Sequence, residues 1–278
     1  SIAQNETVRF VQPLDSASVL GRVTGSSQSD ILGSLFANGQ FLLVNPNGIY
    51  FGPSANVQVG SLLASTLDIQ NAMYLNNQLI FEKGAGLDPV KIFNEASIGV
   101  SDGGYIALLS DAIENRGVLT ANLGSVVLGV GAKQTLSFDG QGLINLVVDQ
   151  GLAQRFGEGP AIENSGTLLA DGGKVTLTVK LLNDTFDTLI NNEGLIEASQ
   201  AVERDGVVEL ISNGSILTQG SLITDHLIEE GAAFKVGGDY HVGLAEVTNR
   251  DNAVTLATGN YSGTTSDIAD IIVDNNAV

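Results

Sequence analysis

The stretch IENRGVL, residues 113–119, recurs along the chain and decides its fold. IENSGTL at residues 162–168 and INNEGLI at residues 190–196 are full copies, and FNEASI at residues 93–98 is a degenerate copy. A glycine and an alternating aliphatic strand follow each copy. These strands begin at Gly104, Gly124, Gly173 and Gly206. Such self-similarity at a roughly regular spacing is typical of repeat proteins.

The repeat predicts a solenoid. One unit has a few short strands that cannot bury an apolar face alone, whereas stacked units bury a continuous aliphatic column with parallel strand pairing. The Asn at the same turn of each coil is expected to form a ladder of side-chain amides. The Gly that follows it is expected to adopt positive φ. An antiparallel sandwich is the alternative fold, and the fixed positions of Asn and Gly relative to the strands disfavour it.

Upstream of the repeats, FLLVNPNGIYFG at residues 41–52 places two apolar runs on either side of four turn residues. Asn45, Pro46, Asn47 and Gly48 occupy the four favoured positions of a type I turn. Pro46 fixes its own φ and holds the preceding residue in an extended conformation. The segment therefore predicts strand, tight turn and strand, and turn chemistry alone is a sufficient explanation for it.

Three further segments, considered together with this turn, point to a known protein family. They are VRFVQ at residues 8–12, ILGSLFANGQ at 31–40 and SLLASTLDI at 61–69. Together with the turn and Ile49, they resemble the amino-terminal secretion domain of two-partner-secreted exoproteins. That is the filamentous haemagglutinin and high-molecular-weight adhesin/haemolysin family of Gram-negative bacteria. The resemblance is close over residues 1–148 and looser beyond. An Asn-Pro-Asn-Leu motif common in the family is absent.

The resemblance implies an all-β fold, a right-handed single-stranded parallel β-helix with extra-helical hairpins. It implies a secretion domain at residues 1–148 that lacks its extreme amino terminus, followed by continuing β-helix repeats at 149–278 that are less regular towards the end. It also implies passage through the periplasm to the cell surface or medium. The expected partner is an outer-membrane pore protein with periplasmic POTRA domains, and a host-cell receptor or glycan is a further candidate partner.

The family's secretion motif maps onto Asn45, Pro46, Asn47, Gly48 and Ile49. Two roles stay open for these residues, direct recognition by the pore protein or a turn needed for folding. Recognition by β-augmentation, in which an extended segment adds to a sheet edge, is a further hypothesis. Candidate anchors for it are Phe10, Phe41 and Phe51, whose alternative role is core packing.

The amino-acid composition limits the kinds of molecule that this chain can bind. The 278 residues allow one or two domains, and 43% are hydrophobic but only 5% aromatic. The formal net charge of −19 excludes nucleic acid as a partner, because phosphate binding needs clustered Lys and Arg. The chain has no Cys, no signal peptide and no apolar run long enough to span a bilayer.

The sequence offers weak support for catalysis, and no cofactor or metal site is predicted. GVSDG at residues 99–103 has the nucleophile-elbow spacing, with His226 and His241 downstream, but an elbow needs a helix after the turn and a strand is expected here. The two His lack zinc-site spacing. A carbohydrate-active β-helix enzyme is the alternative function, although nothing selects a catalytic pair among 31 acidic residues. We therefore expect no enzymatic activity.

Three local expectations complete the prediction. Residues 73–81 are interpreted as a hairpin with Asn76 and Asn77 at its tip. Residues 146–159 break the period and are interpreted as an excursion or a short helix. Residues 202–205 are interpreted as an insert in the last copy.

Overall fold

The repeat copies lie side by side in a ten-stranded sheet of parallel strands, as a computed structural model shows. The structure describes residues 1–182, 188–201, 204–231, 234–236, 240–249, 255–257, 261–267 and 271–273. Residues 202–203 of the expected insert lie outside this part of the chain.

The first elements are β1 (Thr7–Phe10), β2 (Ser18–Arg22), β3 (Ser29–Ile31), β4 (Ser34–Val44), β5 (Ile49–Phe51), β6 (Asn56–Ser65), β7 (Asp68–Ile69), α1 (Asn71–Leu75) and β8 (Leu79–Glu82). The next are β9 (Lys91–Asn94), β10 (Ser97–Val100), β11 (Tyr105–Ser110), β12 (Ala112–Asn115), β13 (Val118–Thr120), β14 (Ser125–Val130), β15 (Lys133–Phe138) and β16 (Ile144–Gln150). Then follow β17 (Ile162–Asn164), β18 (Thr167–Leu169), β19 (Lys174–Val179), β20 (Thr188–Asn192), β21 (Leu195–Ala198), β22 (Val207–Ser212), β23 (Ser215–Thr218) and β24 (Ser221–Gly231). The last are β25 (Phe234–Val236), β26 (Tyr240–Asn249), β27 (Thr255–Ala257), β28 (Tyr261–Asp267) and β29 (Ile271–Val273).

Each coil contributes three parallel strand segments. In one coil β12 lies in the ten-stranded sheet, and β13 and β14 lie in a fifteen-stranded sheet. The next coil repeats this order with β17, β18 and β19, which pair in parallel with the corresponding strands of the coil before. Long strands such as β4 and β6 span both segments of the larger sheet. The prediction of an all-β fold built from parallel coils is confirmed.

The aligned residues of the repeat are register partners. Ile113 pairs with Ile162, which pairs with Ile190. In the larger sheet the same stacking produces an inner column of fully buried aliphatic side chains, Ile98, Leu119, Leu168, Ile196 and Leu222. Burial of this column between coils is the main favourable contribution to the free energy of folding, because an isolated coil would leave these side chains in water.

The glycines after the Asn residues have another role than the one expected. Gly117, Gly166, Gly194 and Gly220 do not have positive φ. Instead, a Cβ on Gly166 would lie 2.1 Å from the carbonyl oxygen of Gly117, and one on Gly194 would lie 1.9 Å from that of Gly166. The expectation of positive φ was wrong. Glycine is required because the backbones of neighbouring coils approach too closely for any side chain.

A four-stranded antiparallel sheet lies outside the coils, in the order β16-β15-β8-β7. It covers a second apolar cluster on the outer face of the larger sheet, which includes Leu63, Phe81, Ala107, Leu109 and Val127. This sheet matches the expected extra-helical hairpins. The excursion predicted at residues 146–159 begins earlier, at β15, and its first part is a hairpin rather than a helix.

The hairpin expected at residues 73–81 is wrong. Residues 71–75 form α1, and only β8 that follows it is a strand. β8 pairs antiparallel with β7 on the other side of α1 and with β15, which lies more than fifty residues further along the chain. The arginine of β2, Arg22, holds this region, since its guanidinium donates to Asp68 Oδ1 at 2.8 Å and to Asn71 Oδ1 at 2.7 Å.

Candidate functional site

The predicted secretion motif forms the turn between β4 and β5. The Gly48 N–H donates to the Asn45 carbonyl oxygen at 3.2 Å, which closes the four-residue turn. Gly48 has φ of 102°, a conformation that other residues adopt at a cost. The turn predicted from Asn45, Pro46, Asn47 and Gly48 is therefore present.

Asn45 is the buried centre of this turn, with no exposed surface. Its side-chain amide donates to the Ser27 carbonyl oxygen at 3.0 Å and to Ser29 Oγ at 2.9 Å. Its own backbone N–H donates to the Ser65 carbonyl oxygen at 2.9 Å. A buried amide is tolerated only when its polar atoms are paired, and Asn45 pairs with the coils on both sides of it.

Asn47 extends the same network towards the surface. Its backbone N–H and its side-chain amide both donate to Asn45 Oδ1, each at 2.9 Å. The side-chain amide also donates to the Gly25 carbonyl oxygen at 2.8 Å. Asn47 is half-buried. This side chain therefore fixes the loop of the first coil against the turn.

Gly48 and Ile49 continue the connection between coils. The Ser29 N–H donates to the Gly48 carbonyl oxygen at 3.1 Å. Ile49 is buried and lies between Ser29 of the preceding coil and Ile92 of the following one. Pro46 is half-buried at the tip. The five motif residues thus come together in one folded turn that joins three coils.

The motif itself carries no titratable side chain, and Tyr50, which follows it in β5, contacts a carboxylate of the next coil. The Tyr50 hydroxyl donates to Glu95 Oε2 at 2.5 Å, and the Tyr50 ring stacks on Phe93 with centroids 5.3 Å apart. The hydrogen bond to Glu95, then desolvation and the charge of that carboxylate, raise the pKa of the Tyr50 hydroxyl above its ordinary value. This pair connects β5 to the next coil without charging the motif.

The three phenylalanines considered as anchors pack in the core. Phe51 is fully buried and Phe41 nearly so. Phe10 is half-buried and its ring lies against Phe41, with centroids 4.8 Å apart. In the folded domain Phe41 and Phe51 are therefore not available to a partner, and Phe10 is only partly accessible.

Sequence reasoning missed the residues that receive the motif. Gly25, Ser27 and Ser29 lie in a polar, Ser/Gly-rich stretch at residues 14–30, whose composition indicates turns but not the residues they contact. It also missed the ion pair of half-buried Lys83 and buried Asp111, whose Nζ and Oδ2 are 2.5 Å apart. The Ser/Gly run is a weak signal for the first group. No local signal exists for the pair, because its members lie 28 residues apart.

The structure also shows the surroundings of the segments considered for catalysis and metal binding. Residues 101–104 form a turn and β11 follows, not a helix, so the elbow geometry is absent there. Within the described ranges, no three His, Cys, Asp or Glu side chains are grouped so that they could hold a metal ion. No helix among those residues is long and apolar enough to cross a membrane.

Comparison with known proteins decides the family. A family model described as the TPS secretion domain, where TPS denotes two-partner secretion, matches residues 1–224. The chain belongs to the TPS secretion domain family. It is the secretion-targeting domain of a two-partner-secreted exoprotein, and this confirms the resemblance seen in the sequence.

Relatives and a solved structure agree with this assignment. The chain is 26% identical, over 281 residues, to a heme/hemopexin-binding protein of Haemophilus influenzae. The match covers 94% of this chain and 29% of that protein. The corresponding protein of strain Rd is 30% identical over 216 residues, covering 75% of this chain and 23% of that protein. The chain thus spans less than a third of the length of these relatives.

The fold is similar to that of the HMW1 secretion domain from Haemophilus influenzae. The TM-score is 0.66 at 23% identity, with 99% of this chain and 87% of that chain covered. The similarity supports the β-helix architecture. The family is one of secretion domains, and it gives no support to the alternative of a carbohydrate-active enzyme.

Proposed function

We propose that this TPS domain passes unfolded through an outer-membrane pore partner, folds outside the cell and then templates the folding of the repeats that follow it. The burial of the motif carries this proposal. Asn45 is fully buried between coils, so the pore partner can contact its side chain only before the domain folds. Binding to the pore partner therefore precedes folding of the domain.

The coils are proposed to wind as a right-handed single-stranded parallel β-helix. Connections between parallel strands of one sheet are right-handed in about 98% of cases, because a right-twisted strand returns to its sheet most easily in that sense. The connections from β12 to β17, from β13 to β18 and from β14 to β19 each join parallel strands of one sheet. Residues 1–148 are proposed to carry the secretion signal and residues 149–278 to continue the same solenoid.

The proposed partner is an outer-membrane pore protein that binds the extended chain through its periplasmic POTRA domains. β-Augmentation supplies main-chain hydrogen bonds for such binding, and side chains in pockets supply specificity. Phe41 and Phe51 are exposed only in the unfolded chain, since in the folded domain they are buried in the core, and Phe10, which is half-buried against Phe41, is more exposed there. Equal affinity of the pore protein for folded and unfolded domain would contradict this mode of binding.

Within this scheme we assign the motif a structural role. Asn47 donates two hydrogen bonds to the side-chain oxygen of Asn45. The side-chain amides of both residues also donate to the first coil and hold it against the turn. Their loss should impair folding outside the cell, and secretion should fall only as far as stability falls. The domain itself is proposed to be non-enzymatic, with any receptor or glycan bound by the parts of the exoprotein that follow.

The test is secretion of the exoprotein precursor in cells with and without its pore partner. Export into the medium should require the pore. Asn45→Ala and Asn47→Ala should lower the folded, protease-resistant yield. Gly124→Ala is the matched control, because it damages coil packing outside the motif. If Asn47→Ala abolished export while the purified domain kept its stability, direct recognition would replace the structural role.

A further inference from the structure

The predicted amide ladder is present and runs through four coils. Asn94 Nδ2 donates to Asn115 Oδ1 at 2.8 Å, and Asn115 Nδ2 donates to Asn164 Oδ1 at 2.7 Å. Asn164 Nδ2 donates to Asn192 Oδ1, also at 2.7 Å. All four side chains are fully buried. The ladder is thus a single polar column inside an aliphatic core.

The orientation of each amide is fixed by the backbone. Asn94 Nδ2 also faces the Ala96 carbonyl oxygen at 3.2 Å, and Asn115 Nδ2 faces that of Gly117 at 3.3 Å. A carbonyl oxygen only accepts, so the amide nitrogen and not the oxygen must lie beside it. The amides of Asn94, Asn115 and Asn164 therefore each donate towards the carboxyl-terminal coil. The ladder has a direction.

The column ends at Asn192. Its Nδ2 is buried and has no partner among the residues that the structure describes, and the same is true of Thr218 Oγ1. Thr218 is the register partner of Asn192. The sequence ILTQG at residues 216–220 repeats the Ile-x-Asn-x-Gly pattern with Thr in place of Asn. The Gly220 N–H still donates to the Asn192 carbonyl oxygen at 3.0 Å, so the backbone stacking continues where the side-chain ladder stops.

We propose that this column is a directional register code for coil addition. Each folded coil presents one amide donor towards the next coil, and an incoming coil satisfies it only when its own Asn lies on the same rung. A slip of two residues keeps the apolar face inward but places Ile or Gly opposite the donor. Aliphatic packing alone does not discriminate against that slip, whereas the ladder does. This inference rests on the proposed templating role of the domain.

The size of the effect follows from the cost of a buried, unpaired amide. Leaving one polar group unsatisfied lowers the folding equilibrium constant about tenfold to a hundredfold, since each tenfold step corresponds to about 1.4 kcal/mol. A slipped register would leave at least one such group per interface. That penalty is large enough to select a register while leaving an in-register solenoid stable.

The first test extends the ladder by one rung in the purified domain. Thr218→Asn supplies an acceptor for Asn192, and its own amide faces the Gly220 carbonyl. Thr218→Val is the control, because it keeps the shape of Thr and removes the hydroxyl. Thr218→Asn should raise the folding equilibrium constant about tenfold above Thr218→Val in urea denaturation. A Thr218→Val domain as stable as the Asn variant, or more stable, would overturn the inference.

The second test reads register directly and uses the absence of Cys in the chain. Val118 and Thr167 are register partners, so Val118→Cys with Thr167→Cys reports the native register. Thr120→Cys with Thr167→Cys reports a two-residue slip. In the parent chain, only the first pair should form a disulfide after refolding. With Asn115→Leu and Asn164→Leu added, the slipped disulfide should increase at least tenfold.

Exclusive formation of the native pair in the Leu background would show that packing alone sets register. If the Leu variants fail to refold, the comparison at Thr218 still decides the matter. Both experiments use the isolated protein without the pore partner. Their failure therefore leaves the secretion assay unaffected, and failure of pore-dependent export leaves the register result standing.

Discussion

Asn45 Oδ1 accepts two hydrogen bonds from Asn47, one from its backbone N–H and one from its side-chain amide, each at 2.9 Å. One carboxamide oxygen thus closes the turn locally, and the amide nitrogen of the same side chain reaches back to Ser27 and Ser29 of the preceding coil. The turn residue that looks most local in sequence is therefore also an inter-coil contact.

The two asparagines should differ in their effect on stability. Asn45→Ala removes a fully buried amide and leaves its partners unpaired, so we expect a loss of about 3 kcal/mol in the free energy of unfolding. Asn47→Ala removes two bonds from a half-buried side chain and should cost about 1 kcal/mol. Urea denaturation of the purified domain measures both. Equal losses would show that burial of Asn45 contributes nothing beyond the turn.

Close backbone approach should make one glycine far less replaceable than another. A Cβ on Gly124 would lie 1.8 Å from the Gly104 carbonyl oxygen, whereas a Cβ on Gly140 meets no atom within 4 Å. Gly124→Ala should cost about 3 kcal/mol through forced separation of two coils. Gly140→Ala should change stability by less than about 0.5 kcal/mol. Thermal and urea denaturation of both variants provide the comparison, and similar values would refute the steric argument.

The coil architecture could be predicted because its determinants are local and repeated. Asn115, Asn164 and Asn192 occupy the same position in successive copies of the repeat. A glycine two residues after each Asn marks where the backbones of neighbouring coils approach closely. The turn at Asn45 was predicted for the same reason, since four adjacent residues specify it. Repeats and turn residues of this kind can be recognised from the local sequence without knowing which distant residues they contact.

The strand pairing within the extra-helical sheet could not be predicted from the residues, because its contacts are distant along the chain. β8 pairs with β15 across the intervening coils, so the apolar residues of 73–81 carried no information about their partner and were interpreted as a hairpin. The acceptors of the motif were missed in the same way. Ser29 can be recognised as the hydrogen-bond acceptor of Asn45 only once the stacking of the coils is known.

The ion pair of half-buried Lys83 with buried Asp111 should be among the costliest contacts to break. Asp111 is 2% exposed, and its Oδ2 accepts from Lys83 Nζ at 2.5 Å and from the Val90 N–H at 2.9 Å. Lys83→Met leaves a buried carboxylate without its cation, and we expect a loss of about 3 to 5 kcal/mol. The double variant Lys83→Met with Asp111→Leu should recover part of it, because two apolar side chains leave no uncompensated charge. A double variant less stable than Lys83→Met alone would contradict this account.

A partly buried ion-pair network should make the stability of the domain depend on pH in the acid range. Glu114 lies 2.6 Å from Lys91 Nζ and 2.5 Å from an Arg116 guanidinium nitrogen. Partial burial opposes its charge, but the hydrogen bond and charge of Lys91, followed by the charge and hydrogen bond of Arg116, lower the pKa of Glu114 below its ordinary value. A carboxyl group whose pKa is lower in the folded state stabilises that state above its unfolded pKa of about 4.3. That contribution disappears as the pH falls through the folded-state pKa.

Glu114→Gln should therefore destabilise the domain at pH 7, and the difference from the parent chain should shrink steadily below about pH 4.3. Added salt should shrink it as well, because part of the network faces solvent. Urea denaturation between pH 7 and pH 3 measures both effects. Glu163→Gln is the matched control, since Glu163 is the register partner of Glu114 and forms no ion pair among the described residues. A stability difference for Glu114→Gln that stayed constant over this pH range would show that shape, and not charge, accounts for the effect of the substitution.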